Sequence, residues 1–140
     1  MNVVRPTVLL VIVMALAPVT GISAQENDEQ TRIARDMVKA LQAYAVYKMG
    51  QYDEAFDRYC ELAERGNSQG MLNVANMYAA GLGTEKNLEK AFQWYLEAAE
   101  AGDAIGMEEV ASAYRQGLGV PRDENLADEW LARAQATRQP

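Results

Sequence analysis

Residues 71–103 have the sequence MLNVANMYAAGLGTEKNLEKAFQWYLEAAEAGD, and many of them recur 36 positions further along the chain. A fixed period of about 20 to 50 residues is the signature of a protein built from stacked structural units. This repeat decides the fold, because every unit must then have a similar structure. The matching pairs are Gly66 and Gly102, Gly70 and Gly106, Met71 and Met107, Ala75 and Ala111, Tyr78 and Tyr114, Gly81 and Gly117, Gly83 and Gly119, Ala91 and Ala127, Trp94 and Trp130, and Ala98 and Ala134.

Each unit is predicted to contain two amphipathic helices. Apolar and small residues fall three and four apart over Met71–Tyr78 and again over Leu88–Ala98. This spacing places them on one face of a helix. Gly81 and Gly83 lie between the two runs, where a turn requires positive φ, and Gly102 follows the second run as a C-terminal cap. A unit is therefore a helix, a glycine turn, a second helix and a glycine stop.

A degenerate unit, AYAVYKMGQYDEAFDRYCELAERG, occupies residues 43–66. The turn between its helices is about five residues shorter than in the later units. Its first helix is predicted to begin near residues 29–31, with Thr31 as the N-cap. Residues that match the next unit at the same offset are Ala55, Tyr59, Ala63 and Gly66, which correspond to Ala91, Tyr95, Ala99 and Gly102.

The aromatic residues recur at fixed positions of the units, which indicates packing in the core. The third unit differs from the second, since Phe92 becomes Asp128 and Ala99 becomes Gln135. Polar residues at these positions suit a helix that faces water, so we expect the third unit to end the stack. The predicted core aromatics are Tyr59, Tyr78, Trp94, Tyr95, Tyr114 and Trp130.

Three motifs carry a family resemblance: MYAAGLGT at 77–84, KAFQWYLEAAEAGD at 90–103 and AYRQGLGVPRD at 113–123. They resemble Sel-one-like repeats, the longer-turn branch of the tetratricopeptide superfamily, whereas GQYDEAFDRYCELAERG at 50–66 resembles an ordinary tetratricopeptide motif. The resemblance implies an all-α fold, an α-α superhelix in the form of a short right-handed solenoid of about three helix-turn-helix repeats. First helices would line a concave surface that holds peptides or domains.

Some relatives in this family have a cysteine pair in each repeat, and a β-lactamase activity has been attributed to them. This chain departs from that pattern because Cys60 is its only cysteine. We therefore carry over neither the disulfides nor the activity. Cys60 is expected to be a partly packed helix residue, with an intermolecular disulfide as the alternative.

The N-terminus is predicted to be a secretory signal peptide. Arg5 precedes an apolar run over Thr7–Val19, and GISA follows at 21–24. The run is shorter than the roughly 20 residues of a membrane span but suits a signal sequence. Cleavage is expected after Ala24, which gives a periplasmic or secreted protein; an uncleaved anchor is the alternative. The predicted organisation is a signal peptide at 1–24, an N-terminal linker and first helix start at 25–42, a tetratricopeptide-like repeat at 43–66, and Sel-one-like repeats at 67–102 and 103–138.

Composition narrows the possible functions. Apolar residues make up 49% of the chain and charged residues 24%, which is typical of a globular protein. The formal net charge of −7 disfavours nucleic acid as a partner, because phosphate backbones require a basic surface. The chain has no histidine, the usual general base and a common metal ligand. We therefore expect no cofactor, no metal and no enzymatic activity.

The leading hypothesis is an exported adaptor or scaffold that binds a protein or peptide of the cell envelope through the first helices. Candidate contacts are the variable residues of these helices: Tyr44, Tyr47 and Lys48 in the first unit, Gln69, Asn73, Asn76 and Ala80 in the second, and Glu109, Ser112, Arg115 and Gln116 in the third.

Two alternatives to the adaptor remain. One is self-association, in which an exposed end of one stack docks onto another. The other is an envelope hydrolase that uses carboxylates alone, from the adjacent pairs Glu108 and Glu109 or Asp123 and Glu124. Neighbouring carboxylates on a helix point in different directions, which disfavours the hydrolase.

Overall fold

The computed structural model describes residues 20–139, and this part of the chain is a stack of three helical hairpins without strands. Each helix packs against the next one in the sequence. The predicted all-α solenoid of three units is thus confirmed. The predicted signal peptide lies largely outside the described residues. The helices are α1 Thr20–Lys48, α2 Tyr52–Glu64, α3 Ser68–Ala80, α4 Leu88–Glu100, α5 Ala104–Gln116 and α6 Glu124–Arg138.

A polar side chain caps the N-terminus of each of the last four helices. Asn67 and Asp103, which are equivalent in the repeat, accept hydrogen bonds from backbone amides at the starts of α3 and α5. Asn87 and Asp123 do the same for α4 and α6. These bonds satisfy amides that have no carbonyl partner within the helix. The caps fix the start of each helix in the repeat.

The predicted start of the first helix near residues 29–31 is wrong. The helix α1 runs through this region, and the Thr31 hydroxyl donates a hydrogen bond to the Asn27 carbonyl at 2.8 Å, as in a helix interior. The caps of α3 and α5, Asn67 and Asp103, each follow a glycine outside the preceding helix, whereas Thr31 follows Gln30, which is itself helical. The segment 25–42, which we expected to contain a linker, is therefore helical throughout.

Alanine, leucine and valine form the centre of the stack. Leu62, Val74 and Val110 are the largest side chains with no exposed surface. Small side chains let neighbouring helices approach closely and exclude water. The predicted core aromatics are confirmed: Tyr59, Tyr95 and Trp130 are buried, and Tyr78, Trp94 and Tyr114 are partly buried against the same core.

An aromatic pair joins each unit to the next. The rings of Phe56 on α2 and Tyr78 on α3 meet edge to face with their centroids 5.2 Å apart. Phe92 and Tyr114, their equivalents 36 residues later, meet in the same way at 5.3 Å. The next equivalent of Phe92 is Asp128, whose exposed side chain pairs with Arg115. The contact therefore stops where the sequence predicts the end of the stack.

One charged side chain, Asp36, is buried among the described residues. Arg65 Nη2 lies 2.7 Å from Asp36 Oδ1, although the angles are not those of a hydrogen bond. The pair joins α1 to the C-terminal end of α2. Removal of Arg65 would leave the buried carboxylate of Asp36 without its counterion, which is costly.

The loop between the two helices of a unit lies against the preceding unit. A Cβ on Gly83 would be 2.2 Å from the Tyr52 carbonyl oxygen at the start of α2, and one on Gly119 would be 2.0 Å from the Leu88 oxygen at the start of α4. Both glycines have positive φ, as predicted for Gly83. The first unit has no preceding unit within the described residues, and its turn is residues 49–51 rather than a seven-residue loop such as 81–87.

Substitution of Gly83 by alanine should destabilise the stack more than the same change at Gly50. Gly50 also has positive φ, but a Cβ there meets nothing within 4 Å. We expect about 1 kcal/mol from backbone strain for Gly50→Ala and a further cost of about 1–3 kcal/mol from overpacking for Gly83→Ala. Urea denaturation measures both free energies of unfolding. Equal losses in the free energy of unfolding for the two variants would show that Gly83 does not pack tightly against α2.

Candidate partner-binding site

The structure brings five of the predicted contact residues, Ala80 among them, together in one pocket. Tyr44 and Tyr47 of α1 face Asn73 and Asn76 of α3 across a cavity of about 330 Å³. We call this cavity the tyrosine pocket; its other lining residues are Tyr59, Met77, Ala80 and Leu82. It lies on the first-helix face, the side of the stack formed by α1, α3 and α5. No lining residue is an acid, a lysine or an arginine, so the pocket is polar but uncharged at neutral pH.

Tyr59 of α2 was predicted as core, and its role in the pocket was missed. Burial raises the pKa of Tyr59, and the neighbouring Tyr44 and Tyr47 raise it further, so the hydroxyl stays neutral. In the next unit, the equivalent Tyr95 donates a hydrogen bond to Asn76 at 2.6 Å. The turn of the first unit, 49–51, is four residues shorter than the loop 81–87, so residues of α1 match those of α3 at an offset of 32. The position equivalent to Asn76 is therefore Tyr44, which is not an amide. This difference between the units was visible in the sequence.

The two asparagines of the pocket are held in complementary orientations. The oxygen of Asn76 accepts the hydroxyl of Tyr95, which leaves its Nδ2 group as a donor. Burial raises the pKa of Tyr95 to about 12, with a contribution from Glu109, so this hydroxyl keeps its proton. Asn73 instead donates from Nδ2 to the Gln69 carbonyl at 2.8 Å, which leaves its Oδ1 as an acceptor. The pocket therefore presents one amide donor and one amide acceptor.

The remaining predicted contacts do not join the pocket. Glu109 and Ser112 line a smaller cavity of about 90 Å³ between α4 and α5. Gln116 donates to the Ser112 hydroxyl at 2.7 Å. Arg115 pairs with acidic residues at the end of the stack, Glu124 at 3.4 Å and Asp128 at 3.0 Å. Lys48 and Gln69 are exposed and are not among the residues that line the tyrosine pocket.

The carboxylates considered for hydrolysis have structural partners. Both oxygens of Glu108 accept hydrogen bonds from Arg138. Asp123 caps α6, and hydrogen bonds from Arg122 and Arg115 lower the pKa of Glu124. A lowered pKa is the opposite of what a general acid requires near neutral pH. Neither adjacent pair is arranged as an acid and a base.

Two further features concern other kinds of site. Among residues 20–139 no three histidine, cysteine or acidic side chains are grouped so that they could hold a metal ion. None of the described helices combines the length and the apolar character that a membrane crossing requires.

Cys60 is half-buried on α2 and packs against the core, as predicted. Burial raises the pKa of its thiol to about 11, with contributions from Glu64 and Asp57. The thiolate is the reactive form of cysteine. The Cys60 thiol is therefore a weak nucleophile at neutral pH, which disfavours the intermolecular disulfide.

Comparison with known proteins agrees with the fold and the motifs. Residues 68–103 and 104–134 match the family model described as Sel1 repeat. This chain is similar to the crystal structure of a Sel1 repeat protein from Oxalobacter formigenes. The two chains are 31% identical in sequence, with a TM-score of 0.64, over 72% of this chain and 40% of that one. A comparison with curated proteins found no match. The chain is a Sel1-repeat protein.

Two other solved structures show the same fold. The first is c5321, described as a protective antigen present in uropathogenic Escherichia coli strains, with 26% identity and a TM-score of 0.67 over 77% of this chain and 24% of that one. The second, Helicobacter pylori cysteine rich protein B, is 23% identical with a TM-score of 0.59 over 61% of this chain and 65% of that one, and supports the fold alone. This chain therefore spans less than half the length of the Oxalobacter formigenes protein and of c5321.

Proposed function

We propose that the chain is an exported adaptor that binds an extended segment of a protein partner in the tyrosine pocket. The carrying observation is that two asparagines line the pocket and that their internal hydrogen bonds leave Asn76 a donor and Asn73 an acceptor. An extended peptide backbone presents both a carbonyl and an amide along one edge, so this pair is complementary to it. The Sel1-repeat fold, a helical scaffold for protein interactions, supports the proposal.

The tyrosines add a surface for a side chain of the partner. Tyr44 and Tyr47 line the pocket from α1, and Tyr59 lines it from α2. Tyrosine is enriched in protein interfaces because its ring buries apolar area while its hydroxyl can form a hydrogen bond. The pocket has no charged lining residue, so binding should depend on apolar contact and hydrogen bonds and vary little with salt.

Peptides selected from a random library against the full chain should lose at least about tenfold in affinity on Tyr44→Ala and on Asn76→Arg. Asn125→Arg, the same chemical change at an exposed position of α6, is the control and should retain binding. Calorimetric titration at two salt concentrations measures the affinities, and circular dichroism checks that the variants fold. Peptides that bind both pocket variants as tightly as the unmodified chain would exclude the tyrosine pocket.

We also propose that the protein is exported. The support is the sequence of residues 1–24, in which Arg5 precedes the apolar run over Thr7–Val19. Cleavage after Ala24 would leave Gln25 at the start of the mature chain, within the helix α1. Expressed with its natural N-terminus, the protein should be found in the periplasm or the medium. Its mass should be that of a chain whose first residue is Gln25. Full-length protein in the membrane fraction would indicate an anchor, and full-length protein in the cytoplasm would contradict export.

Self-association is a second candidate function, favoured by an exposed apolar face on α1. Ile33, Met37, Val38 and Leu41 are between 52% and 63% exposed, although a large apolar side chain is usually covered. The helix α1 is the first of the stack, and α2 covers only its other side. Contiguous exposed apolar surface of this kind marks a site of association.

Charge points to a second copy of the chain as the occupant. At 100° per residue, Glu26, Ile33, Leu41 and Lys48 all lie within about 40° of Met37 around α1. Two antiparallel copies of α1 centred on Met37 place Ile33 opposite Leu41 and the acidic Glu26 opposite the basic Lys48. The same residues on both copies form this contact, so it closes as a two-fold dimer.

Leu41→Glu should weaken this dimer at least about tenfold, because it places a charge in the apolar contact. Gln42→Glu, an equal change in charge on another side of α1, is the control. The double variant Glu26→Lys with Lys48→Glu exchanges the two charges and should retain the dimer. The single variant Lys48→Glu places two acidic groups opposite each other and should weaken it. Sedimentation over a dilution series measures the mass. A single-chain mass at every concentration would exclude self-association.

A further inference from the structure

A second cavity lies away from the first-helix face. It is a groove of about 530 Å³ between the C-terminal end of α2 and the helix α4. Met71 and Tyr78 of α3 form its floor, and Trp94 of α4 forms one wall. Around α3, these two floor residues lie opposite Asn73 and Asn76. This cavity, which we call the outer groove, is therefore separate from the tyrosine pocket.

The third unit shows what an equivalent tryptophan binds. Trp130 is equivalent to Trp94, and the guanidinium carbon of Arg133 lies 3.8 Å from the centroid of its ring. An arginine stacked on an aromatic face gains cation–π attraction and a flat contact. Trp130 is 9% exposed with this cover. The chain thus contains a tryptophan that is covered by its own arginine.

The second unit has no such arginine. The position equivalent to Arg133 is Glu97, which lines the outer groove and leaves Trp94 only partly buried. The helix α6 also continues to Arg138, and Thr137 contacts Met107, whereas α4 ends at Glu100. The third unit therefore closes its groove with its own side chains, and the second unit leaves its groove open.

The charges around the outer groove favour a cation. Glu64 of α2 and Glu97 of α4 both line it, and the whole chain has a net charge of −7. Lys90 also lines the groove, but its ammonium group lies over the ring of Tyr78, 5.3 Å from the centroid. Two acidic groups thus face one lysine that already has an aromatic contact. A guanidinium in the groove would gain both acidic partners and the face of Trp94.

We propose that the outer groove binds an arginine side chain of a partner protein, stacked on Trp94 and paired with Glu64 and Glu97. The arrangement reproduces between two chains the contact that Arg133 and Trp130 make within one. Arginine fits better than lysine because its planar guanidinium can stack and bind two carboxylates together. This second surface does not depend on the tyrosine pocket, and the chain could bind one partner at both surfaces or two different partners.

Nuclear magnetic resonance can follow the groove directly, because the chain has only two tryptophans and each gives its own indole N–H signal. A blocked tripeptide with a central arginine should shift the signal of Trp94, while Trp130, already covered by Arg133, stays unchanged. The same peptide with citrulline, which has the shape of arginine without its charge, should bind at least about fivefold more weakly. Free arginine should also bind more weakly than the blocked peptide.

The variant Glu97→Arg provides the sharpest test, since it gives the second unit the arginine that the third unit has. We expect the new side chain to cover Trp94, to leave the fold intact and to abolish binding of the peptide. Glu85→Arg makes the same change in charge at an exposed loop position and should retain binding. Thermal unfolding checks that both variants fold.

Four results would overturn the proposal. They are a Trp94 signal that does not move with the arginine peptide, equal affinities for arginine and citrulline, equal affinities for free arginine and the blocked peptide, and unchanged binding by Glu97→Arg. The third result would indicate a site for an amino acid rather than for a protein.

Discussion

The contact on which the stack depends is the edge-to-face pair of aromatic rings between successive units. Phe56 with Tyr78 and Phe92 with Tyr114 each hold the second helix of one unit against the first helix of the next. Fully buried small residues on the same helices allow this approach, and the loop of each unit closes it from the side. Asp128 cannot make the contact, because a carboxylate loses more by desolvation than it gains from a ring. The aromatic contact is therefore not repeated at Asp128, and this has a physical reason.

Both cavities arise where one unit lacks a side chain that its neighbour uses to close the same space. In the second unit Asn76 accepts the hydroxyl of Tyr95, whereas the first unit has Tyr44 in the equivalent position, and the tyrosine pocket stays open beside Tyr59. In the third unit Arg133 covers a tryptophan, whereas Glu97 leaves the outer groove open. The repeat supplies a common framework, and its departures from symmetry create the surfaces. A binding role for such a protein is thus located by comparing units with one another.

The sequence alone predicted the helices and the glycine turns, since these depend on local patterns and on the offset of 36 residues. The predicted N-cap at Thr31 was wrong because a side chain can cap a helix only where the residues before it are not helical. The helix α1 already includes the residues before Thr31. The sequence pattern also placed Arg115 among the contacts, although its acidic partners follow 9 and 13 residues later on the next helix. Contacts between helices decide which exposed residues are already paired, and a periodic pattern does not contain them.

The two ends of the stack differ in a way that limits how copies can join. The helix α6 has Asp128, Gln135 and Arg138 on exposed positions, so its end is polar. The helix α1 exposes Met37 and Leu41 instead. A head-to-tail array would place an apolar face against a polar one and would leave charges without water or partners. Contact between like ends buries apolar surface on both copies, so association of this chain would produce a closed dimer rather than a longer solenoid.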